Sequence, residues 1–524
     1  MRPGGARVST AARAAGVLGA LGVALLVAIV PTGAAVAAPE SPVEILPPVT
    51  VGDGAFAVGV SPDGSLAYVL ALVDQELHVV DTATNTPILV IPMSISLGFL
   101  DPSLVVHPDG RVLILDPGDG AGVTEPAIIE IDPTTWDVYT HSLAQPAPWD
   151  AGFAVSLALT PDGTKAYVAD LTSGRVLAVS VPPTAGPGAW SITPIDVAAA
   201  TTPEILPGSL AIAGGTVYAL DILGEDGGEP TGIAAIRVAD DQLEPTVIAY
   251  SAPAGTTGGI LTMPTMKPSP DGTTVLISGA AEFDDGSGDT GGFFWTIPGG
   301  TVPAAATYLG GGLGDEVAAF AFGAAGQTVY LIDCACASLA WTLDVGSGTG
   351  TILDVAAATD LDMLASVAVS PDGTRIFLTG TDLLGDSRLW QLSAVADDVL
   401  HVTGPTAATQ GDRVTLTAIA RDNSGNPVDV TSLATFTSSV ATDVISGNVV
   451  AFPHASPHTI TASYAPLAGG PAVAAGSIMI EVAAVLPPTG VEDPRPWLGA
   501  AAALLLAGAT LVLTRSRLSR RAPR

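Results

Sequence analysis

Two glycine-rich stretches gather acidic side chains: GEDGGEP, with Glu225, Asp226 and Glu229, and EFDDGSGDTGG, with Glu282, Asp284, Asp285 and Asp289. Carboxylate oxygens on such loops are the ligand type that Ca2+ takes, although the spacing lacks the glycine and terminal glutamate of an EF-hand loop. Solvated charge accounts for the same residues, so calcium is the one cofactor left open, and no other is called for. No Gly-x-Ser-x-Gly nucleophile turn occurs, and the six histidines, His78, His107, His141, His401, His454 and His458, are scattered. No catalytic residue is assigned. Cys334 and Cys336 are the only cysteines. At i and i+2 of a strand their Cα atoms stand about 7 Å apart, the outer limit for a disulfide. A strained disulfide and a free pair both remain open, and two thiols alone do not close a zinc site.

These residues must be positioned by a recurring unit. SPDG at Ser61, HPDG at His107, TPDG at Thr160, and SPDG at Ser269 and Ser370 each follow a short alternating segment and precede another, such as SLAYVLAL or TKAYVADL. Proline pre-sets φ at the second turn position, aspartate suits the third, and glycine accepts a positive φ after it. Each unit therefore begins with a β-hairpin. Two degenerate copies, AIAGGTVYALD and FGAAGQTVYLID, fill the gaps in the series. Seven units result, with a third strand in each and usually a fourth, and no helical periodicity between them. Four strands at a period near fifty residues predict an all-β, seven-bladed β-propeller over residues 38–400.

The run VSPDGSLAYVLALVDQELHVVDTATNTPILVIPM, from Val60 to Met93, resembles the YVTN-type propeller repeat of bacterial and archaeal surface proteins and of lactonase-like propellers. The resemblance implies a closed ring with an axial funnel. No residue set here matches the lactonase-like funnel position by position, so no mechanism transfers with the fold. The last unit stops after its third strand at RLWQLSAV, while PVEILPPVTV, from Pro42 to Val51, precedes the first. An open blade edge exposes unpaired backbone groups, so the N-terminal strand is expected to complete the last blade.

Residues 401–483 change character, with short Thr/Val-rich strands and turn signals such as DNSGNP. GDRVTLTAIARD, ATFTSS and HTITASY resemble, in order, strands of a bacterial Ig-like domain, which implies a small β-sandwich acting as a spacer. Residues 484–496 form a linker.

At the N-terminus, Arg2, Arg7 and Arg13 precede an uncharged run, and Ala35-Val36-Ala37 offers a signal-peptidase pattern. Residues 1–37 thus read as a secretory signal cut between Ala37 and Ala38, against a retained anchor as the alternative. At the C-terminus, the uncharged run 497–513 is just long enough for a transmembrane helix, and the arginine-rich tail 514–524 would stay cytoplasmic. Ahead of it, Leu486-Pro487-Pro488-Thr489-Gly490 with this helix and tail resembles the cell-wall sorting signal of Gram-positive surface proteins. The resemblance implies that a sortase cuts after Thr489 and joins its carboxyl to peptidoglycan, so the membrane is engaged only before processing. The prolines suit this by keeping the pentapeptide extended. The Ala/Gly/Val/Pro-rich composition points to an actinobacterium.

Between Ala38 and Thr489 nine basic residues face 49 acidic ones. Such a surface repels nucleic acid and anionic membranes, which excludes both as expected partners. The resulting reading is a secreted, wall-anchored surface protein whose propeller binds an unidentified extracellular ligand. The competing reading is a wall-tethered lactonase-like or other propeller hydrolase.

Overall fold

The structure is a computed structural model that describes residues 37–40, 44–96, 103–118, 125–144, 154–188, 190–222, 232–250, 253–257, 264–283, 290–313, 317–333, 340–353, 355, 361–394, 400–421, 427–464 and 473–485. By proximity of Cα atoms the chain forms two compact units. The first takes Met1–Thr403, Thr417–Thr435 and Ala462–Ser477, and the second Gly404–Leu416, Phe436–Thr461 and Ile478–Arg524, each through its described residues.

Within the first unit, antiparallel sheets follow one another, each adding its strands in chain order. The first sheet holds Ala55–Val60, Leu66–Ala71, Glu76–Asp81 and Thr86–Pro92. The second runs from Leu104 to Ser142, the third from Ala154 to Asp196 and the fourth from Pro207 to Ala249. In the fifth, Thr256–Thr257 and Thr265–Pro268 both pair with Thr274–Phe283, followed by Thr290–Pro298 and Thr307–Leu313. The sixth runs from Val317 to Leu353 and gains Ala37–Glu40 as a parallel edge strand. The seventh takes Leu361–Val369, Arg375–Asp382 and Ser387–Ser393, and its fourth strand is Glu44–Thr50, paired antiparallel to Ser387–Ser393.

The sheets close a ring. Ala55–Val60 touches Leu104–Val106, each later sheet meets the next, and Leu361–Val369 of the seventh returns to Ala55–Val60 of the first. An apolar cluster fills every gap between consecutive sheets: Tyr68 with Ile114, Leu113 with Val168, Tyr167 with Ala219, Tyr218 with Trp295, Phe294 with Phe320, Tyr330 with Trp390, and Phe377 with Val69. Each fully buried side chain of this size contributes about 1.5–3 kcal/mol. Sheets radiating in order around an axis, with the core distributed between them, make a β-propeller. Serines on or just before first strands add polar links: Leu157 N donates to Ser103 Oγ (3.3 Å), Leu210 N to Ser156 Oγ (3.1 Å) and Met266 N to Ser209 Oγ (2.9 Å).

The Pro-Asp-Gly turns show why their residues recur. Gly64 N donates to Ser61 O (2.8 Å) and Gly64 takes φ +73°, a conformation that favours glycine. Asp63 Oδ1 accepts from Ser61 Oγ (2.6 Å), Ser65 N (3.0 Å) and Ser65 Oγ (2.7 Å), tying both flanks of the turn. Asp162, Asp271 and Asp372 repeat this pattern. In the fourth sheet, Gly214-Gly215 make a two-residue turn with both φ positive, and Ala213 pairs directly with Thr216.

The Ser61 hydroxyl and the Ser65 N–H and hydroxyl hold the Asp63 carboxyl down at about 2, and bonds led by Thr160 and Ser269 lower Asp162 and Asp271 in the same way. A folded-state value below the unfolded one, near 4, contributes stability above that unfolded value and loses it as pH falls through the folded one. The unfolding midpoint is therefore expected to drop between about pH 4 and pH 2. Replacing Asp63, Asp162 and Asp271 together by Asn should flatten that slope in thermal melts, and an unchanged slope would refute the assignment.

The second unit contains the sheet of Arg413–Thr415, Val449–Ala451 and Val444–Ser446, and pairs Ala407–Thr409 in parallel with the end of Val473–Ala483. Val414, Leu416, Val450, Phe452 and Val482 are buried there.

Candidate functional site

Successive Pro-Asp-Gly turns lie side by side. Gly64 faces Pro371 and Arg375, Gly163 faces His107, Gly272 faces Gly214, Gly326 faces Ser269 and Pro270, and Gly373 faces Ala324. The turns joining first to second strands thus share one face of the ring. In antiparallel sheets of sequential order, the connections from second to third strands then fall on the opposite face. GEDGGEP and EFDDGSGDTGG are two of these connections. Glu282 lies near the end of Thr274–Phe283, opposite Thr290 and Thr257. Asp284, Asp285 and Asp289, with Glu225, Asp226 and Glu229, lie outside the described residues, as do Cys334, Cys336 and Leu486 to Gly490. Ala37 and Ala38 begin the edge strand of the sixth sheet. Among the described residues no group of three or more His, Cys, Asp or Glu side chains could hold a metal ion.

The same face carries a feature the repeat reading missed. Second strands end on buried aspartates: Asp116, Asp170, Asp221 and Asp382. Asp116 Oδ1 accepts from Ser96 N and Gly118 N (both 3.1 Å), Asp170 from Ser173 N (3.2 Å), and Asp382 Oδ1 from Leu384 N (2.8 Å) and Asp386 N (3.0 Å). Burial pushes the Asp170 carboxyl up against its bonds from Ser173. Asp170 and Asp382 thereby hold the starts of the connections that follow them. The signal was present as the recurring final residue of YALD, YVAD and LILD. At the junction of the seventh and first sheets, where Gly54 N donates to Ser387 Oγ (3.2 Å), the tips expose Val73 (69%), Leu383 (71%) and Leu384 (84%). These are the most exposed large apolar side chains among the described residues.

A buried ionic cluster joins the second sheet to the third. Glu130 is fully buried, and its Oε1 accepts from Arg111 Nη1 (2.5 Å) while Oε2 accepts from His141 Nε2 (3.0 Å) and Gly186 N (3.3 Å). Burial alone would push the Glu130 carboxyl up, and the bonds from His141 and Arg111 outweigh it and hold it below its ordinary value. Arg111 also donates to Asp109 Oδ2 (2.8 Å) and to Pro182 O (3.0 Å), and His141 stacks on Trp190 at 4.2 Å. His107, standing where other turns have Ser or Thr, meets Asp109 Oδ1 at 2.5 Å and donates from Nε2 to Gly163 O (3.0 Å). Glu130, Arg111, His141 and His107 are buried and only Asp109 reaches solvent, so the cluster locks two sheets together.

In the second unit, His458 Nδ1 lies 2.7 Å from Asp443 Oδ2 and its Nε2 lies 3.0 Å from Ser456 Oγ. This is the order of an acyl-transfer relay. His458 Nε2 also faces His454 O at 3.1 Å, and the His458 and Asp443 side chains are wholly enclosed, so the trio pins its own loop. In the sequence His458 is one of six histidines with no shared motif.

No family model and no curated protein matches the chain. Solved structures with similar traces include the β-propeller domain of Cps50 (Swd1) from Myceliophteria thermophila, with a TM-score of 0.48 and 12% identity over 67% of this chain and 99% of that one. Hydrazine synthase of Kuenenia stuttgartiensis gives 0.47 and 14% over 65% and 96%, and a 6-phosphogluconolactonase-like protein of Bacteroides uniformis gives 0.41 and 14% over 57% and 83%. The fold rests on the sheet order and ring closure above, and the activities of these proteins are theirs alone.

Proposed function

We propose that this chain is a secreted surface protein of a Gram-positive bacterium, joined to peptidoglycan by a sortase at Thr489. A seven-bladed propeller binds an extracellular partner through the face that carries the second-to-third-strand connections. The observation that carries the reading is the order of the C-terminus: Leu486-Pro487-Pro488-Thr489-Gly490, then an uncharged run, then arginines. Secretory cleavage between Ala37 and Ala38 frees the N-terminus, residues 401–483 act as an Ig-like spacer, and residues 497–513 hold the substrate at the membrane until the cut. Support for a binding role comes from the exposed Val73, Leu383 and Leu384 on that face.

Thr489→Ala removes the residue whose carboxyl the sortase would capture. The variant should leave the muramidase-released wall fraction, by tenfold or more, and accumulate with its arginine tail in the membrane fraction. Undiminished wall linkage of the variant would overturn the anchoring. For the ring itself, glycan and protein arrays probed with the segment 38–489 test binding. A wall-tethered lactonase-like or other propeller hydrolase is the alternative, and turnover of an ester or lactone panel would favour it.

A further inference from the structure

Consecutive backbone N–H groups from Val51 to Gly54 span the junction where the ring closes. Val51 N donates to Ser387 O (3.0 Å) and Gly54 N to Ser387 Oγ (3.2 Å), both of the seventh sheet. Between them, Gly52 N donates to His78 Nε2 (2.9 Å) and Asp53 N to Asp74 Oδ2 (2.9 Å), both of the first. In return Gly54 O accepts from Leu72 N (2.9 Å) and Asp53 O from Val73 N (3.1 Å), so the exposed Val73 tip rests on the same segment. Gly52 is buried, and a Cβ there would stand 2.7 Å from His78 Nε2, so the backbone presses directly on the imidazole. The same ring nitrogen lies 3.1 Å from Glu76 Oε2, and the His78 side chain is only 10% exposed. These two contacts need opposite states of one atom. A neutral ring with its proton on Nδ1 accepts from the Gly52 N–H and turns a lone pair toward the Glu76 carboxylate. In the charged ring both nitrogens are donors, which suits Glu76 and sets two N–H groups against each other at Gly52.

We propose that His78 is a pH-sensitive latch on the closure of the ring: when Nε2 takes a proton, the Gly52 N–H loses its acceptor, and segment 51–54 lets go of the first sheet together with the Val73 tip it supports. Histidine is the side chain whose charge ordinarily changes between about pH 5 and 8, so the latch answers to mild acid. The charged ring turns to Glu76 on its own strand. Asp74, on the connection before that strand, and the exposed Asp53 on the closing segment are the other charged groups at this place. The flanking strands set Val69 and Val90 opposite His78. From the seventh sheet the segment meets Ser387, whose neighbour Arg388 is taken up by Asp382 and Asp386. Carboxylates thus receive the charged ring, while a buried N–H left without an acceptor must move toward water. The device belongs to ring closure and stands apart from export, from capture at Thr489 and from the identity of any partner.

Hydrogen exchange of the full chain, read by peptide mass spectrometry and corrected for the intrinsic pH dependence of exchange, tests this. Between about pH 7.5 and about pH 5.5 the protection of amides in 51–54 and 72–74 should fall about fivefold or more, while peptides from the third sheet keep theirs. In His78→Gln, whose side-chain oxygen accepts at every pH, the fall should vanish. In Asp74→Asn, which removes the other titrating acceptor of the segment, it should remain. Equal protection at both pH values in the unaltered chain would overturn the proposal, whether or not His78→Gln folds. A fall that Asp74→Asn abolishes, or that persists in folded His78→Gln, would overturn it too.

Discussion

Arg111→Met is expected to lower stability by about 3–5 kcal/mol, because it leaves the fully buried Glu130 without its strongest counter-charge. His141 remains beside Glu130 Oε2, yet Oε1 then has no donor and the link to Pro182 O is lost. The paired change Arg111→Met with Glu130→Leu should recover most of that loss, since well-packed apolar groups of similar volume commonly replace a buried ion pair at little cost. Denaturant unfolding of both single variants and the double variant gives the coupling energy, which should exceed about 2 kcal/mol. If the two losses simply add, or if Arg111→Met costs under about 1 kcal/mol, the cluster is not the lock described.

The cluster also marks the limit of what could be read from the sequence. The Pro-Asp-Gly turns were legible because their chemistry is local: Ser61, Asp63 and Ser65 lie within five residues and satisfy one another. Propeller organisation followed from that recurrence, and the pairing of Glu44–Thr50 with Ser387–Ser393 follows from the need to cover an open edge. Glu130 and its partners are separated by 19, 11 and 56 residues. Only the strand register and the packing of the second sheet on the third bring them together. The same holds for Ser209 Oγ, which receives a hydrogen bond from Met266 N across 57 residues. The aspartates ending second strands were readable in principle, as a repeat within the repeat, but their bonds run to connections whose sequences differ in every sheet. The acidic stretches and Leu486 to Gly490 remain sequence readings.

Deleting residues 44–50 from the full chain should have the largest effect of all. The seventh sheet would lose its fourth strand, exposing the edge of Ser387–Ser393, whose Leu389, Trp390 and Leu392 are now fully buried. Thr50 Oγ1 would no longer accept from Arg388 Nη1 (2.9 Å), and Pro47 O would no longer accept from Asn85 Nδ2 (2.6 Å), which ties the strand to the first sheet. Losing several backbone bonds at roughly 1 kcal/mol each, together with apolar burial, removes on the order of 5 kcal/mol or more. That is comparable to the whole stability of a typical domain, roughly 5–15 kcal/mol. The deleted chain should therefore unfold at a markedly lower denaturant midpoint and aggregate through its open edge. A synthetic peptide of residues 42–52 added during refolding should restore the midpoint by supplying the strand in trans. The ring would be shown not to depend on this closure if the deleted chain unfolded at the original midpoint, or if the peptide gave no recovery while the chain stayed soluble.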